Sequence, residues 1–342
     1  MTEKRFCIIC GNEISSNDPA ELYCELHRGE QVKSTEKCSI RPDHVLKNLT
    51  GYALKDNPGQ IHNLVITPDG RYVIAGGEDM LLYKWDLKSG DFLGYIGGQP
   101  SSVTALAVTP DGQQLISSSA KLLLVWDIEN KKLISNFESK TGSVYAIAIT
   151  PDGRNLVVGG SSGKIEIWDL KSGTLRNTFE AHSYAVYAIA ITPRGRTFVT
   201  SGGDGMVRVW NFKNGKCLNT LEGHEFKVYA LALTGDGRYA VSGGLDKTLR
   251  VWDLKKGTCL RTIQSAPEES VETLAIVPGK HVVVSAGSED KLRLWDFDTG
   301  ECLDAIEGHS HVTTKIAFTP DGRQLVSGSI DTTLRVWTIR CK

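Results

Sequence analysis

All seven tryptophans of this chain fall in one register. They stand at Trp85, Trp126, Trp168, Trp210, Trp252, Trp295 and Trp337, separated by 41, 42, 42, 42, 43 and 42 residues. Five are followed by aspartate, as in Trp85-Asp86 and Trp252-Asp253. Self-similarity at about 40–45 residues, ending in Trp-Asp, marks a four-stranded blade. A unit that small has two apolar faces and is not stable alone, so its copies must stack around an axis. The repeat therefore predicts an all-β fold over residues 44–342: a seven-bladed β-propeller of four-stranded antiparallel blades.

The copy from Val228 to Leu260 shows how one repeat becomes a blade. Residues 228–233 (Val-Tyr-Ala-Leu-Ala-Leu) lack the alternation of a half-exposed strand and read as an inner strand buried on both faces. A Thr-x-Asp-Gly turn follows. In four other copies, beginning at Thr67, Thr109, Thr150 and Thr319, it is Thr-Pro-Asp-Gly, with Pro presetting φ and Gly accepting φ > 0. The second strand ends in the pair Gly243-Gly244, which lets neighbouring backbones approach. The third carries Trp252, and an outer strand starts at Cys259. The last copy runs out five residues after Trp337, without an outer strand. A segment resembling the outer strands, Leu46 to Tyr52, instead precedes the first inner strand. Residues 45–50 are therefore expected to complete the seventh blade and close the ring, which removes an exposed edge.

On these residues the chain resembles the WD-repeat family, over about 300 of its 342 positions. That resemblance implies a platform for partners, and it implies a buried His–Asp–Ser/Thr–Trp network in each blade that keeps the pattern. By residue match the network comprises His182, Thr200, Asp204 and Trp210 in the fourth blade. In the fifth it is His224, Ser242, Asp246 and Trp252, and in the seventh His309, Ser327, Asp331 and Trp337. The other four blades depart: the first keeps Asp79 without a His, the second has Ala120 and the third Ser162 in place of Asp, and the sixth has Glu289. These are expected to rely on packing more than on the network. A Ser–His–Asp set also suggests hydrolysis, but a catalytic site occurs once and opens to substrate, whereas this set recurs. The run Gly159 to Lys164 has the wrong spacing for a phosphate loop and ends in Ile165.

Formal charge is −1, so no global basic field recruits nucleic acid or anionic lipid. No apolar run reaches the roughly 18–20 residues of a membrane span, and the charged start lacks a secretory leader. A cytosolic or nuclear, reducing compartment is expected. There the eight cysteines point to metal or core packing rather than disulfides. Cys217, Cys259 and Cys302 share one repeat position and read as half-buried fillers; Cys341 carries no signal.

Cys7 and Cys10, then Cys24 and His27, form two knuckles separated by thirteen residues. Four such ligands match a tetrahedral structural zinc in a ribbon-like module at residues 1–30, with Cys38 as an alternative to His27. Residues 31–43 read as a linker.

Residues opening the inner strands point into the mouth of the central channel: His62, Thr104, Tyr145, Tyr187, Tyr229, Glu272 and Thr314, the last with a one-residue shift. Tyr145, Tyr187 and Tyr229 on adjacent blades, with Lys227 nearby, suit a partner-binding patch, since tyrosine joins apolar area to a hydrogen-bonding tip. Glu272, with Glu268 and Glu269, makes an acidic arc expected on the opposite side. The function these features imply is a non-catalytic scaffold that binds a protein or peptide at this mouth. It is expected to be monomeric within a larger complex, with zinc as a structural cofactor. Alternatives are a ribonucleoprotein component that uses the ribbon against RNA or DNA and, behind it, a propeller enzyme.

Overall fold

In a computed structural model of the chain, the described residues are 5–6, 13–14, 38–45, 59–265, 270–288 and 291–341. They contain seven four-stranded antiparallel sheets and one short pairing of Arg5–Phe6 with Glu13–Ile14. The fifth blade is typical, built from Val228–Leu233, Tyr239–Gly244, Thr248–Asp253 and Thr258–Gln264. The inner strands pack in sequence around the ring, and the last, Thr313–Phe318, packs on the first, Ile61–Ile66. Seven blades and closure are therefore as the repeat predicts.

Local chemistry explains the sharp turns between first and second strands. In the four Thr-Pro-Asp-Gly copies the Thr hydroxyl donates to the Asp carboxylate at 2.5–2.6 Å, and the same carboxylate accepts the N–H two residues on. The closing glycines sit at φ of 70–72°, where a side chain would be strained.

The core is divided among the seams between blades. All seven tryptophans are at most 6% exposed. At one seam Val157, Ile165 and Ile167 of the third blade pack with Val186, Phe198 and Trp210 of the fourth. Gly159 makes this approach feasible, because a Cβ there would lie 2.7 Å from Val186. The first and seventh blades share a cluster of Ile61, Leu64, Trp85, Val326, Leu334 and Val336. Across the same seam Thr314 donates its hydroxyl to the Ile61 carbonyl at 2.7 Å.

The closing strand lies earlier in the chain than residues 45–50. It is Cys38–Val45, antiparallel to Leu334–Cys341, with Pro42 opposite Trp337. Residues 46–50 lie outside the described residues. The linker expected over 31–43 is corrected in the same way, since 38–43 are strand. The physical reason is the length of the third strand. It runs past Trp337 to Cys341, and Ile339, Arg340 and Cys341 need backbone partners that Ile40, Ser39 and Cys38 supply. Ile40 and Cys38 are then buried with Trp337, Ile339 and the sixth-blade residues Val284 and Leu294. The Ile40 amide also donates to Asp304 of the sixth blade at 3.0 Å.

This strand brings Cys38 and Cys341 into a disulfide that spans 303 residues of sequence. The pairing overturns two expectations: cysteines that form no disulfides, and a Cys341 without a role. It also removes Cys38 as an alternative zinc ligand. Sequence spacing carries no trace of a bond between the two ends. Cys217, Cys259 and Cys302 are free thiols; the first two are half-buried fillers as expected, whereas Cys302 is exposed.

Candidate partner-binding surface at the channel mouth

His62, Thr104, Tyr145, Tyr187, Tyr229, Glu272 and Thr314 all line one cavity of about 240 Å3 at the channel. Thr314 needs no register shift. Thr313, fully buried and paired with Ser329, takes the place that Val holds at the start of most other inner strands.

The three tyrosines touch in series. Tyr145 and Tyr187 stack with centroids 5.8 Å apart, and Tyr187 meets Tyr229 edge to face at 5.0 Å. Aromatic pairs at these spacings hold one another in place, so the patch is preorganised. Glu272 is not opposite this patch but beside it, on the next blade round. Burial and then the charge of Glu272 push the Tyr229 hydroxyl's pKa up. The Glu272 carboxylate accepts the Ser270 hydroxyl at 2.7 Å. Lys227, directly before the fifth inner strand, is exposed and is not part of the cavity lining. Glu268 and Glu269 lie outside the described residues.

The aromatic surface continues outward through residues the repeat reading did not single out. Tyr184 is 67% exposed, Phe226 57% and Leu245 41%. A Cβ on Gly203 would meet both Tyr184 and Tyr187, at 2.9 and 3.4 Å, so one glycine underlies the outer and inner tyrosines. Phe226 occupies the same loop position one blade on, two residues before the inner strand. Aligning the copies at that position would have exposed both, because five blades carry Gly59, Ser101, Gly142, Glu269 and His311 there.

The buried networks hold these loops. In the fourth blade His182 Nδ1 is 2.8 Å from Asp204 and its Nε2 is 2.7 Å from the Thr200 hydroxyl, which accepts the Trp210 N–H at 2.8 Å. The fifth and seventh blades repeat the chain through His224–Asp246–Ser242–Trp252 and His309–Asp331–Ser327–Trp337, with every link between 2.7 and 2.9 Å. Each Asp also accepts a loop amide: Ser183 N–H at 3.2 Å, Glu225 N–H at 3.2 Å and Ser310 N–H at 3.0 Å. Tyr184 and Phe226 directly follow two of those amides. Burial opposes ionisation of Asp246, but the hydrogen bonds from His224 and Thr248 prevail and hold its pKa down, to about 2. Asp204 and Asp331 are lowered by the same balance. At His182 burial dominates and lowers the imidazole's pKa.

These seven matching, stacked, Trp-centred units decide the family. Seven segments match the WD domain, G-beta repeat: residues 46–86, 90–127, 131–169, 173–211, 215–253, 257–296 and 300–338. The chain belongs to the WD-repeat family. WD-repeat propellers are typically scaffolds for protein partners. Shorter stretches are similar to individual members. Serine-threonine kinase receptor-associated protein of Bos taurus is 36% identical over 62 residues, and that of Homo sapiens 34% over 62. Each match covers 18% of this chain and 18% of the relative. An uncharacterized WD repeat-containing protein of Schizosaccharomyces pombe is 33% identical over 52 residues, 15% of this chain and 13% of its own length.

Within this WD-repeat chain the departing blades do not abandon the polar network. They rebuild it. In the second, Gln99 Nε2 donates to Ser117 at 2.6 Å where the imidazole would sit, and the same hydroxyl accepts the Trp126 N–H at 2.8 Å. In the third, the Glu166 carboxylate accepts from Trp168 at 2.9 Å, from the Ser139 hydroxyl at 2.8 Å and from the Lys140 amide at 2.8 Å. In the first, Tyr83 donates to Asp79. In the sixth, Ser285 accepts from Trp295 at 2.9 Å, and Glu289 lies outside the described residues. The expectation that these blades rely on packing more than on the network is corrected for the second and third, because a buried indole or amide N–H left unpaired costs about 1–3 kcal/mol.

Among the described residues no group of three or more His, Cys, Asp or Glu could hold a metal. Cys7, Cys10, Cys24 and His27 lie outside them. Among the described residues no helix is long and apolar enough to cross a membrane.

Proposed function

We propose that this propeller is a non-catalytic scaffold that grips a protein or peptide partner on the arc from Tyr184 through Tyr187, Tyr145 and Tyr229 to Phe226. One observation carries the reading. Tyrosines on the inner strands of three adjacent blades are in mutual contact and part-exposed, beside two loops whose amides are held by Asp204 and Asp246. Such rigid, amphipathic side chains lose little entropy on binding and dominate interface energetics. Lys227 and Glu272 at the edges would set orientation. The name of the bovine and human relatives describes association with a receptor, in keeping with a docking role.

The test is affinity capture from the native cell, quantified by mass spectrometry, with the wild type against a Tyr145→Ala, Tyr187→Ala, Tyr229→Ala triple variant. Hot spots of this kind contribute about 2 kcal/mol or more each, so at least thirtyfold loss of the principal partner is expected, with an unchanged melting profile. Full retention by the triple variant would displace the site from this arc.

The amino-terminal segment has a separate role in this reading. Cys7, Cys10, Cys24 and His27 would hold one structural zinc, since four protein ligands leave no open position. Arg5–Phe6 and Glu13–Ile14, which flank Cys7 and Cys10 in sequence, pair antiparallel. Elemental analysis of chain purified without chelator should give one zinc per chain, and Cys10→Ser should lose it. Metal-free protein would remove the module. The compartment proposed is cytosol or nucleus, and the protomer is proposed to act as a monomer within a larger assembly.

A further inference from the structure

Behind the tyrosine mouth the wall of the bore is formed by the third residue of each inner strand. Four of the seven are alanines (Ala105, Ala146, Ala188 and Ala230), and the others are Thr273, Asn63 and Lys315. Lys315 is the one cation among these seven positions. It is part-buried and lines the cavity.

Lys315 makes no ion pair and no hydrogen bond with any described residue. The one described carboxylate lining the same cavity, Glu272, is engaged by Ser270. Burial alone pushes the Lys315 ammonium's pKa down, with no neighbouring charge offsetting it. On the adjacent first blade Asn63 presents the complementary problem. Its Nδ2 donates to the Thr104 carbonyl at 3.2 Å, while its Oδ1 is buried without a partner. A cation lacking an acceptor and an amide oxygen lacking a donor thus stand on neighbouring strands of one cavity. Buried groups of both kinds are costly unless paired.

We infer that the bore at Lys315 and Asn63 is a binding site for a small oxyanion, a phosphoryl group or a carboxylate, which enters past the tyrosine mouth. The anionic oxygen pairs with the Lys315 ammonium. The bore has room for several water-sized groups, and its alanine wall leaves the space open. The inference deepens the proposed peptide-binding role if the carboxylate comes from a partner, and stands without that role if the anion is free.

The test reads acetylation of Lys315 in the intact chain, by a brief acetic anhydride pulse and peptide mass spectrometry, with exposed Lys171 as internal reference and chloride balancing ionic strength. Two probes distinguish the sources: inorganic phosphate, and the blocked tripeptide acetyl-Gly-Asp-Gly-amide against its Asn twin. Saturable protection of Lys315, at least fivefold at millimolar probe, is expected from phosphate or from the Asp peptide. Phosphate alone protecting assigns a phosphoryl ligand, and the Asp peptide alone a carboxylate. In parallel, the 31P line of phosphate should broaden with wild type and not with Lys315→Met. That variant should keep its fold, since methionine matches the apolar stem and Lys315 bonds to no described residue. Lys315 acetylation unchanged by all probes, or equal 31P broadening with Lys315→Met, would overturn the site. Neither result bears on the triple tyrosine variant, so the two readings fail separately.

Discussion

Reducing the Cys38–Cys341 bond should lower the melting temperature by roughly 8 °C, and Cys341→Ser should reproduce the loss. The bond ties the closing strand to the end of the chain across 303 residues. On the loop-entropy account a cross-link that long stabilises by on the order of 5 kcal/mol, a large share of the 5–15 kcal/mol typical of folded proteins. For a chain of this size each kcal/mol shifts the midpoint by about 1.5–2 °C. The location of the bond gives the effect a signature. Once it is open, backbone pairing, the burial of Cys38 and Ile40 and the Ile40 amide's bond to Asp304 hold the strand, so the seventh blade's edge should lose protection first. Differential scanning calorimetry with and without a phosphine reductant, on wild type and Cys341→Ser, checks it. Hydrogen exchange should localise the early loss to the edge strand 38–45 and to the amides of 334–341 that face it. A wild type insensitive to reductant, or a variant that melts with it, would show that the ring does not depend on this staple.

The second large effect is expected at the fifth blade's network. Asp246→Ala should destabilise by about 3–5 kcal/mol, because it strands a fully buried imidazole and frees the Glu225 amide that the carboxylate held. Ser242→Ala should cost about 2–4 kcal/mol, since its one hydroxyl serves both His224 Nε2 and the Trp252 N–H. The pH dependence has a definite sign. The folded pKa of Asp246, about 2, lies below its ordinary value of 3.8. Its contribution is therefore complete above pH 4 and disappears as pH falls through 2. Asp204 and Asp331 act in the same direction. His182, lowered by burial, adds a loss that begins below its ordinary 6.5. Urea unfolding between pH 7 and pH 2 should show steep acid destabilisation, shallower in Asp246→Ala than in wild type. Parallel curves would mean that the carboxylate's ionisation is not coupled to folding. If the clamps also position Tyr184 and Phe226, Asp246→Ala should weaken partner capture at temperatures where the fold persists.

Much of this architecture is readable from spacing. A tryptophan every 42 residues, a Thr-Pro-Asp-Gly turn and a His eighteen residues before a Ser or Thr are local periodic signals, and the copies reinforce one another. The three complete networks were legible because each member recurs at the same offset. The rebuilt ones were not. Gln99 stands in the register of the network His and Glu166 in that of Arg208 and Arg250, but with other residue types, and only the bonds to Ser117 and Trp168 reveal their role. The same holds for the surface: Tyr145, Tyr187 and Tyr229 share one repeat position, but their contact with one another depends on the angle between blades. Glu272 was placed opposite them from sequence and stands next to Tyr229.

What the sequence by itself determined is the repeated unit and its number, because a blade is specified by contacts within some forty residues and by its likeness to its neighbours. Only the tertiary structure decided where the ring is joined. The meeting of residues 38–45 with 334–341 depends on how far the last strand runs and on what it must bury, and no local period encodes a pairing between opposite ends of a chain. The unpaired Lys315 belongs to the same class. A lysine in a β-strand becomes an isolated cation only when seven strands converge on it and none brings a carboxylate within reach.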